Sequence, residues 1–207
     1  EALVDCKKAI ELDPGFIKAY LRASKCLVHL GNLEEAENML QTIKARPEGA
    51  RDRTVVAEIV ELEKTKKMLA DFNRCVREGK ETLAVRTLDP LLESISANAD
   101  LQLRAAQVLL VLKRWKRVSA LADKLYRNNP SNPDILTLRG KCYYNNGNVS
   151  GAQQHFRQVL QSDPDHREAQ KWFKLIKKLE NKKAEGNNAF KAGNYQAAYD
   201  RYGEALA

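Results

Sequence analysis

Long apolar runs are missing from this sequence. The longest, Val108 to Leu112, falls far short of the roughly 18 residues of a membrane-spanning helix. Glycine (10) and proline (6) are too sparse for a collagen-like or low-complexity chain, and aromatics make up only 7%. Four cysteines, Cys6, Cys26, Cys75 and Cys142, stand far apart with no C-x-x-C spacing. That argues against a zinc ribbon or a secreted disulfide framework and points to reduced thiols in a cytosolic or nuclear protein. The three histidines, His29, His155 and His166, lack the helical spacing of metal ligands. No G-x-S-x-G, Walker loop or paired acid and base is visible. An enzyme, a cofactor and a bound metal are therefore not expected. The first residues show no basic, apolar and small-residue succession of a signal peptide, and the chain reads as a soluble piece of something longer.

What is present suits a helical protein. Apolar residues make up 43% of the 207 and charged residues 30%, with 35 Lys and Arg against 27 Asp and Glu, a net +8. Such a surplus favours an acidic partner without choosing among nucleic acid, membrane headgroups and acidic peptide. Three Gly-Asn pairs, Gly31-Asn32, Gly147-Asn148 and Gly193-Asn194, each end one amphipathic run and open another, as a glycine past a helix C-terminus does. Small residues recur a few positions later, at Ala2, Ala36, Ala84, Val118, Ala152 and Ala198, with spacings of 34, 48, 34, 34 and 46. Seven residues beyond these lie Ala9, Ile43, Leu91, Leu125, Val159 and Ala205, and between them stand Cys6, Leu40, Leu88, Ala122, Phe156 and Tyr202. Pro14, Pro47, Pro130 and Pro164 are read as closing units, since proline cannot continue a helix. Asp13, Asn129 and Asp163, each before a proline, read as turn formers.

This period and these residue types resemble the tetratricopeptide repeat, a helix–turn–helix unit. The resemblance implies an all-α solenoid with a groove lined by the first helix of each unit. Residues 1–14 would be a second helix, followed by full repeats at 17–50, 65–98, 99–132 and 133–166 and an incomplete one at 179–207. The stretches 51–64 and 167–178 contain neither Pro nor Gly and read as connecting helices that extend a neighbour or cap a block. Three blocks are expected: the end of one at 1–50, a central three-repeat block at 65–166, and the start of another at 179–207.

The informative side chains fall on first helices. Lys18 and Arg22, in Lys-Ala-Tyr-Leu-Arg, are four apart and share a helix face, with Tyr20 on another. Lys183 and Asn187 likewise share a face, with Gly186 allowing close packing of the paired helix. These segments resemble the two ends of the dicarboxylate clamp of tetratricopeptide domains that bind chaperone tails. The resemblance implies that Lys183 and Asn187 open one clamp, on the terminal carboxylate of a Glu-Glu-Val-Asp tail. It implies that Lys18 and Arg22 close another, on the aspartate side chain. The central block has Leu69 and Asn73, and Asp134 and Leu138, at the matching positions, so it is expected not to grip such a tail.

That order of blocks resembles the tetratricopeptide-bearing J-domain co-chaperones of the DnaJ subfamily C type, with Asp163-Pro-Asp-His166 and Glu185 to Lys191 especially similar. The implied function is a cytoplasmic co-chaperone scaffold that binds the acidic tails of the 70-kDa and 90-kDa heat-shock chaperones, its central block open to client proteins. No histidine here is followed by proline, so the His-Pro-Asp triplet of a J domain would lie outside these residues. Two alternatives stand beside it: a chaperone adaptor without a J domain, and a basic scaffold for RNA or membrane, although neither nucleic acid nor membrane is the expected partner. The run Lys113-Arg-Trp-Lys-Arg117 is read as a turn with Trp115 packed over it. Lys171 to Lys183 is read as an amphipathic connecting helix, and Tyr143, Tyr144, Phe156, Tyr199 and Tyr202 as packing positions.

Overall fold

In a computed structural model that describes residues 1–206, five backbone positions take the left-handed conformation: Gly31, Gly79, Lys113, Gly147 and Gly193, with φ between +53° and +86°. Their spacing repeats that of the small-residue anchors, five residues upstream of Ala36, Ala84, Val118, Ala152 and Ala198. At each one the next residue's N–H reaches back to the carbonyl five residues earlier. Examples are Asn32 to Leu27 and Arg114 to Leu109, both at 2.9 Å. This closes the preceding helix and satisfies its last carbonyls. Two of the Gly-Asn asparagines then cap the following helix: Asn148 Oδ1 accepts from Gly151 N at 2.9 Å and Asn194 Oδ1 from Ala197 N at 3.2 Å.

The described residues form thirteen α-helices and no strand: α1 (Ala2–Leu12), α2 (Ile17–Leu30), α3 (Leu33–Lys44), α4 (Pro47–Ala50), α5 (Arg53–Arg77), α6 (Glu81–Arg86), α7 (Leu88–Ser94), α8 (Ala99–Val111), α9 (Trp115–Asn128), α10 (Pro133–Asn145), α11 (Val149–Ser162), α12 (Arg167–Lys191) and α13 (Tyr195–Leu206). None is long and apolar enough to cross a membrane. The chain divides into two compact units, Glu1–Arg114 and the residues from Trp115 onward.

In the first unit α2 packs on α1 and α3, and α3 on α5. Tyr20, Ile43 and Val55 bury together there, flanked by Ile10, Ile17, Leu21, Met39 and Ile59. In the second unit Leu136, Ala152, Phe156, Val159, Ala169 and Ile176 form the core, with Tyr143, Tyr144 and Trp172 against it. The repeat positions explain both cores. Ala36, Ala84, Val118, Ala152 and Ala198 are buried, as are Leu40, Leu88, Ala122 and Phe156 four residues on. Ala2, by contrast, is exposed. Small side chains at the anchors let neighbouring helices approach. Gly140 and Gly186 carry this furthest: a Cβ on either would lie 2.6 Å from the ring of Phe156 or of Tyr202.

Three expectations need correction. Pro47 opens a helix: it sits in the first turn of α4, where its missing N–H costs nothing. The second helix expected within 65–98 is broken into α6 and α7 at Thr87, because Pro90 offers no N–H to the carbonyl of Arg86 and its ring crowds that carbonyl. Tyr199 packs into no core, being 74% exposed. The stretches 53–64 and 167–178 run on into the residues that follow them, since α5 and α12 each extend 25 residues without interruption.

Candidate functional site

The helix α2 is positioned by its buried face, Ala19, Tyr20, Ala23, Ser24 and Leu27. That leaves Lys18 and Arg22 on the opposite, exposed side. Both line a groove of about 360 Å³ between α1 and α2, whose other walls are Ala2, Asp5, Cys6, Ala9, Phe16 and Ala19. The small side chains make room for the groove, and the two cations supply its charge. Among the described residues, neither Lys18 nor Arg22 has a hydrogen bond or ion pair with another side chain. Asp5 is the acidic member of the lining and works against an anionic occupant.

The second pair sits on α12, in the other unit. Lys183 and Asn187 are both exposed. Tyr202 on α13 donates its hydroxyl to Asn187 Oδ1 at 2.7 Å, which fixes the amide and leaves its NH₂ as donor. Gly186 makes this possible, since the Tyr202 ring lies where any larger side chain would stand. The adjacent lysines have opposite fates. Lys182 is held by Glu204 at 2.9 Å and Glu185 at 3.2 Å, and these bonds, Glu204's foremost, raise its pKa above the ordinary lysine value. Arg201 binds the same two carboxylates, Glu185 at 3.3 Å and Glu204 at 3.1 Å. Lys183 has no such partner among the described residues. The structure thus brings Lys18 to Arg22 and Lys183 to Asn187, with the two pairs in separate units.

The matching positions between them have other duties. Leu69 and Asn73 line a cleft of about 620 Å³ with Lys66 and Glu34, but Asn73 Oδ1 accepts from Arg104, and Lys66 is bound to Glu37 at 2.9 Å. Leu138 is buried, and Asp134 faces His166 Nε2 at 3.7 Å.

One cluster had no counterpart in the sequence reading. Arg139 lies over the Tyr126 ring at 3.9 Å, donates to Tyr143 Oη at 3.3 Å and faces Asp123 at 3.4 Å. Beside it, burial pushes the Cys142 thiol up to about 11, with Asp123 adding to the effect. The same surroundings hold His155 below its ordinary value, burial first and the Arg139 charge adding to it, against the bond from its Nδ1 to Gly151 O at 2.9 Å. Arg139 leaves no mark in the sequence, because two of its partners, Asp123 and Tyr126, come from the neighbouring helix α9. In the basic run around Trp115, Lys113 forms the left-handed turn, the Trp115 ring is half-buried at the start of α9, and Lys116 is solvated. Among the described residues no group of three or more His, Cys, Asp or Glu could hold a metal ion.

The tetratricopeptide-repeat family profile matches residues 1–57 and 119–172, more than half of the chain, and the chain belongs to that family. It is 31% identical over its whole length to the DnaJ homolog subfamily C member 7 homolog of Dictyostelium discoideum. It is 32% identical to the human DnaJ homolog subfamily C member 7, again over its whole length. It spans 38% and 41% of these two relatives. Among solved structures the tetratricopeptide domain of P58(IPK) is similar in fold, with a TM-score of 0.72 at 21% identity, over 98% of this chain and 56% of that one. The chain is thus a protein-binding scaffold resembling the repeat region of DnaJ subfamily C co-chaperones, a family that is generally not enzymatic.

Proposed function

We propose that this tetratricopeptide scaffold binds the acidic C-terminal tails of the 70-kDa and 90-kDa heat-shock chaperones and couples the two for transfer of clients. The observation that carries the reading is the pairing state of four residues on two helix faces. Lys18 and Arg22 face a groove with no carboxylate bound to them, and Lys183 stands free beside an asparagine whose amide is already oriented. A chain terminus ending in aspartate offers two adjacent carboxylates. Charge-assisted bonds from Lys, Arg and an amide NH₂ to such groups are worth about 1.5–3 kcal/mol each.

Each pair supplies one half of a clamp: Lys183 and Asn187 hold a terminal carboxylate, Lys18 and Arg22 an aspartate side chain. The complementary halves belong to repeats outside residues 1–207, so these residues alone bind a tail weakly and the parent chain binds at micromolar strength, about −8 kcal/mol. Holding two chaperones by separate blocks raises the effective concentration of one at the other. The stretch between the pairs, with no lysine or arginine at the matching positions, serves as spacer or client surface. The partners being chaperones, the protein works in the cytoplasm, with the nucleus open to it as well. Similarity to relatives named as DnaJ homologs supports the co-chaperone setting.

The test is fluorescence anisotropy of a labelled Glu-Glu-Val-Asp-ended peptide against the parent chain at two salt concentrations. Lys18→Ala and Lys183→Ala are each expected to remove one of two sites, and added salt to weaken both. Tyr202→Phe, which frees Asn187 from its orienting bond, should weaken the second site alone by several-fold. Wild-type protein that ignores the peptide, or lysine variants that bind it undiminished, would overturn the clamp.

A further inference from the structure

The helix α12 carries eight basic and three acidic side chains, a net +5 against +8 for the whole chain. All three acids are already engaged within the second unit. Glu168 holds Lys141 at 2.5 Å, Glu180 accepts from Gln153 at 2.8 Å, and Glu185 holds Lys182 and Arg201. Arg167, Lys171, Lys174 and Lys178 are all exposed and, among the described residues, bonded to no carboxylate. Their spacings of four, three and four place them within an arc of about 60° on the helix, along about 16 Å of its axis. The buried residues Ala169 and Ile176 lie on the opposite side. At the edge of this stripe Leu175 stands 45% exposed.

We infer that this stripe is a docking surface for an acidic amphipathic helix of a partner protein, separate from the proposed tail clamps. A straight row of cations at helical spacing is matched by carboxylates three and four residues apart on a second helix, and Leu175 gives that helix one apolar contact. Single-stranded nucleic acid fits less well. The aromatic side chains of this stretch, Trp172 and Phe173, pack against the core and leave no ring beside the cations for a base to stack on. A membrane surface fits less well too, since one exposed leucine is too little apolar area to insert between headgroups.

The experiment uses the full chain and a fluorescein-labelled helical peptide with Glu at positions three and four apart and one Leu among them. A peptide of the same composition in scrambled order, a single-stranded oligonucleotide and phosphatidylserine vesicles serve as comparators. Wild-type protein is expected to prefer the ordered peptide to its scrambled form and to the other two probes. The triple variant Lys171→Glu, Lys174→Glu, Lys178→Glu should lose about tenfold or more of that affinity, and added salt should weaken the wild-type interaction. The variant should in turn bind a peptide with Lys in place of Glu, which a misfolded protein would not do. Lys18→Ala and Lys183→Ala should leave the ordered peptide's binding unchanged, which separates this surface from the clamps. Equal binding of ordered and scrambled peptides, tighter binding of the oligonucleotide or vesicles, or an undiminished triple variant would overturn the proposal.

Discussion

Replacing Gly147 by Ala isolates the energy of one backbone conformation. Gly147 has φ +77°, and a Cβ built on it meets no atom within 4 Å, so the substitution creates no clash. The left-handed region costs an L-residue about 1–2 kcal/mol, partly offset by about 0.5–1 kcal/mol because alanine has less freedom to lose on folding. A net loss of about 1 kcal/mol is expected. Lys113 provides the reverse experiment, since it holds the same turn position at φ +53° with a side chain the conformation disfavours. Lys113→Gly should therefore stabilise by about 0.5–1 kcal/mol. In a chain of this size 1 kcal/mol moves the melting temperature by about 2–4 °C. Far-UV circular dichroism during thermal and urea unfolding would read both shifts. Hydrogen exchange of the amides at Asn148 and Arg114, which bond back to Tyr143 and Leu109, would show that each effect is local to its turn. A Gly147→Ala protein as stable as wild type, or a Lys113→Gly protein less stable, would refute the account of the repeat turns.

Two other outcomes follow from the second unit. Gly140→Ala should lower its unfolding temperature despite alanine's better helix propensity. The new Cβ meets the fully buried Phe156 ring at 2.6 Å, and that ring is stacked on Trp172 at 5.9 Å, so retreat displaces a second aromatic; overpacking of this kind costs about 1–3 kcal/mol. Shortening the ring in the same protein, with Phe156→Leu, should recover part of the loss, and strict additivity in urea titrations would show that the contact is not the cause. His155 predicts a pH dependence. Its folded pKa lies below the ordinary 6.5, so the unfolded chain binds the proton more readily; stability is full above pH 6.5 and falls as pH drops through the folded value. His155→Gln should flatten that part of the stability–pH curve, and an unchanged slope would remove His155 as its source.

The fold was legible because its signals are local and recur. Gly-Asn pairs mark three helix junctions, and the small residues five positions later mark the helix contacts that follow. Lys113 was harder to read, since a lysine gives no hint of a left-handed turn, and only its place in the spacing identifies it. The break at Thr87 has a visible cause in Pro90, but a proline in the first turn of α7 and one that interrupts a longer helix look the same in sequence. The continuity of α5 and α12 was open for a related reason: the absence of Pro and Gly permits a helix without saying where the one before it ends.

The candidate site divides along the same line. Which faces carry Lys18, Arg22, Lys183 and Asn187 follows from spacing alone, because helical geometry fixes it. Which cations are free to meet a ligand does not, because ion pairs form between residues distant in the chain. Lys182 and Lys183 are chemically identical neighbours, and what separates them is Glu204 on α13, 22 residues further on and 2.9 Å from Lys182. Asn187 likewise gains its orientation from Tyr202, fifteen residues away. The same logic sets the stripe on α12 apart from an ordinary lysine-rich helix. Its acids are taken up by Lys141, Gln153, Lys182 and Arg201, three of them on other helices, so the helix presents cations that its own carboxylates do not neutralise. Under the proposed reading, binding capacity is set by which charges the packing leaves over, and a variant that released Glu185 or Glu204 would alter it without touching a ligand.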